Sequence, residues 1–299
     1  MPQPQAGIFA EHTSNFYYLE YQVDFSESQT AFKQALVKAL TGNTTGVHVV
    51  LAFGKKAWGV LQPAWQPKDL VDFKTLNGVQ NYSMPSTQGD VFFWIHSDHH
   101  DDNFDVVLNI QAAMEKVAKL QLDLVGFNYH KQRDLIGFVD GTANPKEDDR
   151  QLAALIPAGE VGAGGSYVLS QKWVHDLRSF NQLPIKEQEE VVGRTKVEDI
   201  ELEGDDMPID SHVSRTDINV NGQAMKIYRR SDPFGSATEH GLYFLAFACE
   251  LQRFTVQLES MLGMTEDRIH DKLIEYSTAV TSSYWFAPSV EDLGVMLAD

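Results

Sequence analysis

The order in which strand-like and helix-like segments alternate is the feature that most constrains what this chain can fold into. Residues 16–23 and Val47–Phe53 are apolar or aromatic at nearly every position, as in buried strands. Between them, Ser26 and Ser28 precede apolar residues at helical spacing, and Gly42 follows the last of these. This pattern predicts a helix with a serine N-cap and a glycine stop, so the chain opens as strand, helix, strand.

A second strand-helix-strand unit follows after a long connecting segment. Residues 77–90 are rich in Gly, Ser, Pro and Asn, which predicts a loop. Residues 91–96 are a strand-like run, residues 103–120 carry apolar residues at helical spacing, and residues 121–130 again have the pattern of a strand. Two β-α-β units in this order are typical of the split βαβ, or ferredoxin-like, arrangement.

The second half repeats this order less regularly and without a sequence repeat. Its pattern predicts strands at 165–174, 226–229, 241–249 and 281–287, and helices at 184–192, 251–262 and 290–299. Residues 198–210 hold seven acidic residues and predict an exposed loop, while the segment 140–163 is the predicted junction. The predicted fold class is α+β, with two tandem ferredoxin-like domains at 1–145 and 146–299. Two such domains would leave a crevice, a common place for a cofactor.

Charge and hydropathy exclude two classes of partner. The 299 residues include 24 Lys and Arg against 42 Asp and Glu, a net charge of −18. A surface this acidic repels nucleic acid and anionic lipid, and no apolar run approaches the ~20 residues that span a bilayer. Cys249 is the single cysteine, and the N-terminal residues lack a basic or apolar leader pattern. These features predict a cytoplasmic protein that binds neither nucleic acid nor membrane.

Two segments have the composition of binding motifs but also simpler explanations. Residues 96–102 contain three histidines and three aspartates, a donor set that suits a metal ion. The same residues suit a polar turn before a helix, whose first turn favours acidic side chains. Residues 159–165 are rich in glycine but follow no predicted strand and open no predicted helix, so a flexible loop explains them better than a phosphate-binding loop.

Asp140 and His212 are the individual residues most suggestive of chemistry. Asp140 lies between two glycines and follows an apolar pair, which fits either an Asp-Gly turn at a strand end or a buried acid with a raised pKa. His212 lies in the polar segment 211–215, ahead of a second polar segment that contains Arg229. Their spacing alone is equally compatible with residues that have no catalytic role and simply lie on the surface or in the core.

Together, these segments resemble the dye-decolourising peroxidases, a family of haem enzymes. Residues 137–141 match that family's GxxDG motif, and His212 and Arg229 follow in the family's order. Further similarity to the compact bacterial, cytosolic members lies in residues 164–168, 192–196, 240–244 and 286–289. The resemblance covers nearly the whole chain, and the family's two tandem ferredoxin-like domains agree with the fold predicted from the pattern.

The resemblance implies haem b (iron protoporphyrin IX) as the cofactor, bound in the cleft, and a peroxidase activity. His212 would be the metal ligand and bond the iron through Nε2. Asp271 would accept a hydrogen bond from the other ring nitrogen and make the imidazole more electron-donating. For Asp271, a place on the surface of a helix over residues 265–276 is the alternative.

On the opposite, distal face, the resemblance implies Asp140 and Arg229 as the catalytic residues. Asp140 would move a proton from one oxygen of hydrogen peroxide to the other, and Arg229 would stabilise the developing negative charge. The resulting ferryl haem would then oxidise small phenolic or dye-like substrates in one-electron steps. Asn144 and Arg215 are candidates for contacts with the haem propionates. For Arg215, pairing with an acidic neighbour is the alternative.

Two other functions remain open from the sequence. A haem-handling protein, for haem delivery or iron release, would need His212 but neither Asp140 nor Arg229, and a non-haem ferredoxin-like binding module would need none of the three. The resemblance favours the peroxidase and also implies a homo-oligomer, a dimer or larger. The acidic surface predicts better turnover of cationic or neutral reductants than of anionic ones. Which of the 10 tyrosines and 5 tryptophans relays an oxidising equivalent stays open.

Overall fold

The computed structural model describes residues 2–42 and 45–298. Its strands are β1 (Asn15–Val23), β2 (His48–Phe53), β3 (Leu76–Asn77), β4 (Ser83–Met84), β5 (Val91–Ser97), β6 (Ala118–Phe127), β7 (Ser166–His175), β8 (Asn219–Val220), β9 (Gln223–Ala224), β10 (Tyr228–Arg229), β11 (Asp232–Gly235), β12 (His240–Ala248), β13 (Ser277–Ala279) and β14 (Ser283–Ala287). Its α-helices are α1 (Gln29–Leu40), α2 (Lys55–Leu61), α3 (His100–Met114), α4 (Glu147–Ala154), α5 (Leu177–Phe180), α6 (Ile185–Val192), α7 (His212–Thr216), α8 (Gln252–Met261) and α9 (Val290–Leu297). None of these helices is long and apolar enough to cross a bilayer.

Eight strands close into a barrel-like core. β12 pairs with both β11 and β7, and the pairings β11–β6, β6–β1, β1–β5, β5–β2, β2–β14 and β14–β7 complete the ring. Each neighbouring pair is antiparallel, and β10 and β13 extend the sheet beyond the ring. The fold is therefore mixed α/β with a sheet-rich, barrel-like core.

The first half forms the strand order β6–β1–β5–β2, with α1 and α3 packed against each other on one face. The predicted strands 16–23, 47–53 and 91–96 correspond to β1, β2 and β5. Ser28 caps α1, because its hydroxyl accepts a hydrogen bond from the Ala31 amide at 3.1 Å. The serine N-cap predicted from the sequence is thus confirmed.

The predicted helix over 103–120 is wrong at both ends. α3 already begins at His100 and ends at Met114, and residues 118–120 belong to β6. The chain leaves the helix in a turn in which the Val117 amide donates to the Met114 carbonyl at 2.9 Å. Val117 and Leu120 fit a helical spacing as well as a strand, because two apolar residues define no period.

Several short helices and strands were not predicted from the sequence pattern. α2 follows β2 with one intervening residue, and α4 lies inside the segment that the sequence predicted as a loose junction. α4 buries only Ala153 and Ala154, so it carries little periodicity. β11 contains Pro233 and Gly235, which are poor strand formers. The last helix, α9, was predicted to reach Asp299, which lies outside the described residues.

Side chains of the ring strands alternate between an inner and an outer core. On β1, Phe16 and Tyr18 belong to a cluster that draws residues from β1, β2, β5, β7, β12 and β14, and this cluster therefore fills the barrel interior. Tyr17 and Leu19 belong to the other large cluster, which includes α1, α3 and α8. The ring thus has an apolar face on each side.

Glu20 is a charged residue inside this barrel. It is 2% exposed, and its Oε1 accepts hydrogen bonds from the Tyr243 hydroxyl at 2.6 Å and from the Ser170 hydroxyl at 3.1 Å. Burial raises the pKa of Glu20 from 4.5 to about 7, while the two hydrogen bonds oppose the shift. The protonated side chain is therefore the form that the folded barrel favours at acid pH.

We expect Glu20→Gln to gain stability over the native protein as the pH rises. A folded-state pKa above the unfolded value contributes stability that is complete below pH 4.5 and is lost as the pH rises through about 7. The free energy of unfolding of the native protein should therefore fall relative to the variant by up to roughly 3 kcal/mol between about pH 5 and about pH 8. Urea unfolding at both pH values measures this difference. Glu27→Gln at an exposed position is the control, and an equal pH dependence in both variants would contradict the interpretation.

Candidate active site

A large cavity lies on the outer face of β7 and β12, beneath α8. Its empty space, including the part that is open to solvent, is about 1570 Å³. Among the described residues, those that line it run from Asp134 to Ser277. The lining is therefore built by the second half of the ring together with the loop at 134–144.

His212 presents one ring nitrogen to the cavity. It begins α7, and Ser211 caps this short helix by accepting the Ser214 amide at 3.2 Å. The Nδ1 atom of His212 lies 2.6 Å from Oδ2 of Asp271, which is fully buried. The other carboxylate oxygen of Asp271 accepts the Leu273 amide at 2.9 Å. A carboxylate on Nδ1 holds the imidazole with Nε2 free, which is the arrangement of a metal-ligating histidine.

The helix-surface alternative for Asp271 is wrong. Asp271 precedes a 3-10 turn at Lys272–Glu275 and is not on an α-helix over residues 265–276. Its amide donates to the Met261 carbonyl at 2.9 Å, which ties this turn to the end of α8. The structure therefore brings Asp271 and His212 together, as the sequence resemblance implied.

Asp140 and Arg229 form an ion pair on the wall of the same cavity. The Arg229 Nη2 atom lies 3.6 Å from Oδ1 of Asp140, and the two side chains are 23% and 22% exposed. Gly137 and Gly141 flank Asp140 with φ of 92° and 89°, a left-handed conformation that glycine adopts without strain. Desolvation by the surrounding protein raises the pKa of Asp140, and the nearby Arg229 charge partly offsets this.

Asn144 positions Arg229. Its side-chain amide donates to the Arg229 carbonyl at 2.8 Å and its oxygen accepts the Arg229 amide at 2.9 Å. The two bonds fix the backbone of the arginine across 85 residues of sequence. Asn144 lines the cavity, but the sequence resemblance did not indicate this role.

Arg215 does not line the cavity, so its assignment to the haem propionates is wrong. It is 6% exposed, and its Nη1 and Nη2 atoms donate to the Asp267 carboxylate at 2.8 and 3.3 Å. The Thr265 hydroxyl accepts a further bond from Nη2 at 3.0 Å. The alternative, pairing with an acidic neighbour, is confirmed.

Arg194 lines the cavity, although the sequence did not single it out. Its guanidinium donates to Asp199 Oδ1 at 2.9 Å and to Glu201 Oε2 at 2.7 Å. These acidic residues belong to the predicted exposed loop at 198–210. Arg194 belongs to residues 192–196, one of the stretches that resemble the family. This resemblance could have indicated Arg194 as a site residue.

A buried series of three hydrogen-bonded side chains on the cavity wall was also not predicted from the sequence. The Nε2 atom of His175 lies 3.1 Å from Asp134 Oδ1, and its Nδ1 atom lies 2.7 Å from the Ser277 hydroxyl. All three side chains are at most 8% exposed. They come from three distant parts of the chain, so no local motif indicates them.

A second cavity shares Asp140, Asn144 and Arg229 with the first. Its empty space is about 1500 Å³, and its wall includes charged residues of both signs, among them Arg230 and Asp232. The ion pair of Asp140 and Arg229 therefore lies between two cavities. Both side chains are therefore accessible from either cavity.

The other two candidate segments, residues 96–102 and 159–165, lie away from this cavity. Within the first segment, His96 is separate from the other histidine and aspartate side chains. His96 is fully buried, its ring nitrogens lie within 3.0 Å of the Thr13 hydroxyl and the Gly7 carbonyl, and burial lowers its pKa to about 2. The side chains of His99, Asp101 and Asp102 gather at the start of α3, which agrees with a polar turn before a helix. Residues 159–165 lead into β7 and open no helix.

Two family models match the chain. The model described as "Dyp-type peroxidase, N-terminal" matches residues 5–128, and "Dyp-type peroxidase, C-terminal" matches residues 131–292. Among curated proteins, a dye-decolorizing peroxidase from Rhodococcus erythropolis is 34% identical over 252 residues, which cover 83% of this chain and 74% of the relative. The similarity therefore extends over both halves of the ring.

Solved structures of similar proteins have the same fold. A dye-decolorizing protein from V. cholerae superposes with a TM-score of 0.86 at 36% identity, over 96% of this chain and 97% of the other. A variant of DypB from Rhodococcus jostii RHA1, in complex with heme, superposes with a TM-score of 0.89 at 31% identity, over 97% of each chain.

We expect Asn144→Ala to lower the free energy of unfolding by about 1–3 kcal/mol, because the polar backbone groups of Arg229 lose their partners. Urea unfolding followed by tryptophan fluorescence measures the loss. Asn219→Ala, at an exposed position, is the control and should change stability by less than about 0.5 kcal/mol. Equal losses in both variants would contradict the positioning role of Asn144.

Proposed function

The chain belongs to the Dyp-type peroxidase family, and we propose that His212 would hold haem iron in the main cavity, where Asp140 and Arg229 would act on peroxide. The protein is a haem peroxidase that reduces hydrogen peroxide and oxidises small reducing substrates. The observation that carries the residue assignment is that one apolar cavity brings together the His212–Asp271 pair and the Asp140–Arg229 pair. When bound, haem supplies the one-electron redox chemistry of its iron.

The residues of the cavity fit haem. A flat apolar macrocycle suits walls such as Leu169, Leu242 and Phe254, and iron accepts a neutral imidazole nitrogen. Asp271 keeps the proton of His212 on Nδ1, so Nε2 is the donor atom. The buried Asp271 carboxylate also makes this imidazole more electron-donating.

Asp140 and Arg229 divide the work on peroxide. The Asp140 carboxylate takes the proton from one peroxide oxygen and returns it to the other, which leaves as water. The Arg229 guanidinium stays protonated and stabilises the negative charge that develops during cleavage. Asn144 holds Arg229 in place through the backbone, so the guanidinium needs little reorganisation.

The division into two tandem ferredoxin-like domains, 1–145 and 146–299, is part of the proposal. The strand orders β6–β1–β5–β2 and β11–β12–β7–β14 support it, since in each half the first and third strands are central. A homo-oligomer is supported by the exposed apolar side chains of Val37, Phe104 and Leu108 on α1 and α3. A cytoplasmic location rests on the sequence composition alone.

The haem-handling alternative is not favoured. Such a protein has no need of a paired carboxylate and guanidinium in the haem cavity, whereas the structure keeps Asp140 beside Arg229. The curated relatives that match this chain are named dye-decolorizing peroxidases. The non-haem binding module is set aside on the same grounds.

We expect His212→Ala to weaken haem binding by about tenfold or more, because the iron loses its protein ligand. The Soret absorbance per protein after purification, and haem titration of the apoprotein, measure the change. His270→Ala is the matched control, since His270 also lies against a carboxylate, Glu275 at 3.0 Å, but does not line the cavity. A His212→Ala protein that retains full haem content would remove the ligand assignment.

We expect Asp140→Asn and Arg229→Leu each to slow the reaction with peroxide by about 10²–10³-fold. Stopped-flow absorbance of the haem band measures this rate, and haem content separates catalysis from binding. Asp217→Asn is the control, because Asp217 lines the same cavity but pairs with the exposed Lys226 at 2.6 Å. Unchanged rates in both distal variants would refute the assignment.

The rate of reaction with peroxide should fall on acidification through the pKa of Asp140. Since desolvation raises this pKa above 3.8, the ionised form that accepts the peroxide proton is lost at a higher pH than for an ordinary carboxyl. Stopped-flow rates across the acid range measure the profile. The profile should flatten in Asp140→Asn, and an identical profile in that variant would assign the titration to another group.

A further inference from the structure

The helix that carries His212 is too short to hold its own position. α7 has five residues, and a helix of this length forms too few backbone hydrogen bonds to be stable alone. Its side-chain bonds are local, since the Ser211 hydroxyl accepts the Ser214 amide at 3.2 Å and the Thr216 hydroxyl donates to the His212 carbonyl at 2.7 Å. The contacts of α7 with the rest of the protein therefore decide where His212 points.

Two side chains of α7 contact one neighbouring segment, residues 260–271. His212 and Arg215 are three residues apart, so they lie on the same face of the helix. Asp271 accepts a bond from His212 Nδ1 at 2.6 Å, and Asp267 accepts one from Arg215 Nη1 at 2.8 Å. A single contact would leave the helix free to turn about it, whereas two contacts side by side fix its direction.

The Arg215 contact is made by the whole guanidinium group. Besides the bond from Nη1, Nη2 donates to Asp267 Oδ1 at 3.3 Å and to the Thr265 hydroxyl at 3.0 Å, while Nε donates to the Ser260 carbonyl at 3.4 Å. Arg215 is 6% exposed. Paired bonds between a guanidinium and a carboxylate are directional as well as strong, so this contact restricts rotation as well as distance.

Asp267 is itself held in place. Its Oδ1 atom accepts the Thr265 hydroxyl at 2.6 Å and the Ile269 amide at 3.2 Å. The bonds from Arg215 and Thr265 hold the pKa of Asp267 well below its usual value. The carboxylate therefore keeps its negative charge opposite Arg215 even in mildly acid solution.

Arg215 is separate from the proposed haem site. Of the two α7 side chains that contact segment 260–271, only that of His212 lines the main cavity. An effect of Arg215 on the iron therefore passes through the position of His212.

We propose that Arg215 is a positioning residue for the iron ligand, because its bonds to Asp267 and the His212–Asp271 bond together attach α7 to segment 260–271 at two points. This inference rests on the proposed function for the metal that His212 binds. Without Arg215, the His212–Asp271 bond becomes the single side-chain attachment to this segment. The imidazole then turns, its Nδ1 hydrogen bond lengthens, and Nε2 becomes less electron-donating.

Proton NMR of the apoprotein tests the proposal without haem. The Nδ1 proton of His212, bonded to a buried carboxylate, should resonate far downfield, and loss of the signal in Asp271→Asn assigns it. Arg215→Met keeps an unbranched apolar stem but no donor, so it should move this signal upfield and speed the exchange of the proton with water. An unchanged signal in folded Arg215→Met would overturn the inference.

Arg253→Met is the matched control. Arg253 is 8% exposed, pairs with Glu250 at 3.1 Å and donates to the Lys226 carbonyl at 2.7 Å, and both of these partners lie outside α7. Its loss also removes a buried arginine, but it should leave the His212 signal in place. An equal shift of the signal in Arg253→Met would assign the effect to general destabilisation and overturn the positioning role.

Two milder variants decide the question if Arg215→Met does not fold. Arg215→Lys keeps the charge but cannot form the paired bonds to Asp267, and Asp267→Asn keeps the shape of the acceptor but loses its charge. Both should shift the His212 signal in the same direction as Arg215→Met, by a smaller amount. A native signal in both variants would overturn the inference.

Resonance Raman spectroscopy of the reduced holoprotein gives an independent readout. The iron–histidine stretching band should move to lower frequency in the Arg215 and Asp267 variants and stay in place in Arg253→Met, because a less electron-donating imidazole binds iron less strongly. An unchanged band in haem-replete Arg215→Met would overturn the positioning role alone. A native protein that binds no haem would overturn the proposed function, and the apoprotein signal would still decide whether Arg215 positions His212.

Discussion

The double pairing of β12, with β11 on one edge and β7 on the other, is the constraint on which the rest of this structure depends. It closes the ring and gives each ring strand an inner and an outer face. Because side chains alternate along a strand, β12 places Leu242 and Phe244 on the main cavity and Tyr243 in the barrel. The main cavity and the inner core thus share β12, each on one of its faces.

Carboxylates with different kinds of partner divide the chemistry of this acidic chain. Asp271 holds an imidazole, Asp140 faces a guanidinium, and Glu20 and Asp232 accept bonds from phenols. An imidazole partner keeps a metal donor atom free, a guanidinium keeps a proton acceptor next to a fixed positive charge, and a phenol satisfies a carboxyl group inside the barrel with a hydrogen bond. A carboxylate left without a partner in such places would destabilise the fold, so the partner decides both the cost of burial and the use of the group.

Long, regular elements could be predicted from the sequence, and short ones could not. The strands of the ring and the capped helix α1 have enough residues to show a period, whereas α2, α4 and β11 are too short or carry residues that disguise them. At the site, the motif residues Asp140, His212 and Arg229 were found by resemblance, and the structure brings them to one cavity. The bonds of Asn144 to the Arg229 backbone and of Arg215 to Asp267 could not be predicted, because these hydrogen-bond partners are 85 and 52 residues away in the sequence.

The sequence by itself determined the alternation of strands and helices, the acidic surface and the residues that we propose to ligate iron and move protons. These properties are local, since periodicity, charge and motif spacing are read along the chain. Only the tertiary structure decided that β12 closes a ring, that Arg215 serves Asp267 instead of the cofactor, and that Tyr18 meets Tyr243 across 4.0 Å. The physical reason is that strand pairing and burial join residues far apart in sequence, and the free energy of each contact depends on partners that no local pattern contains.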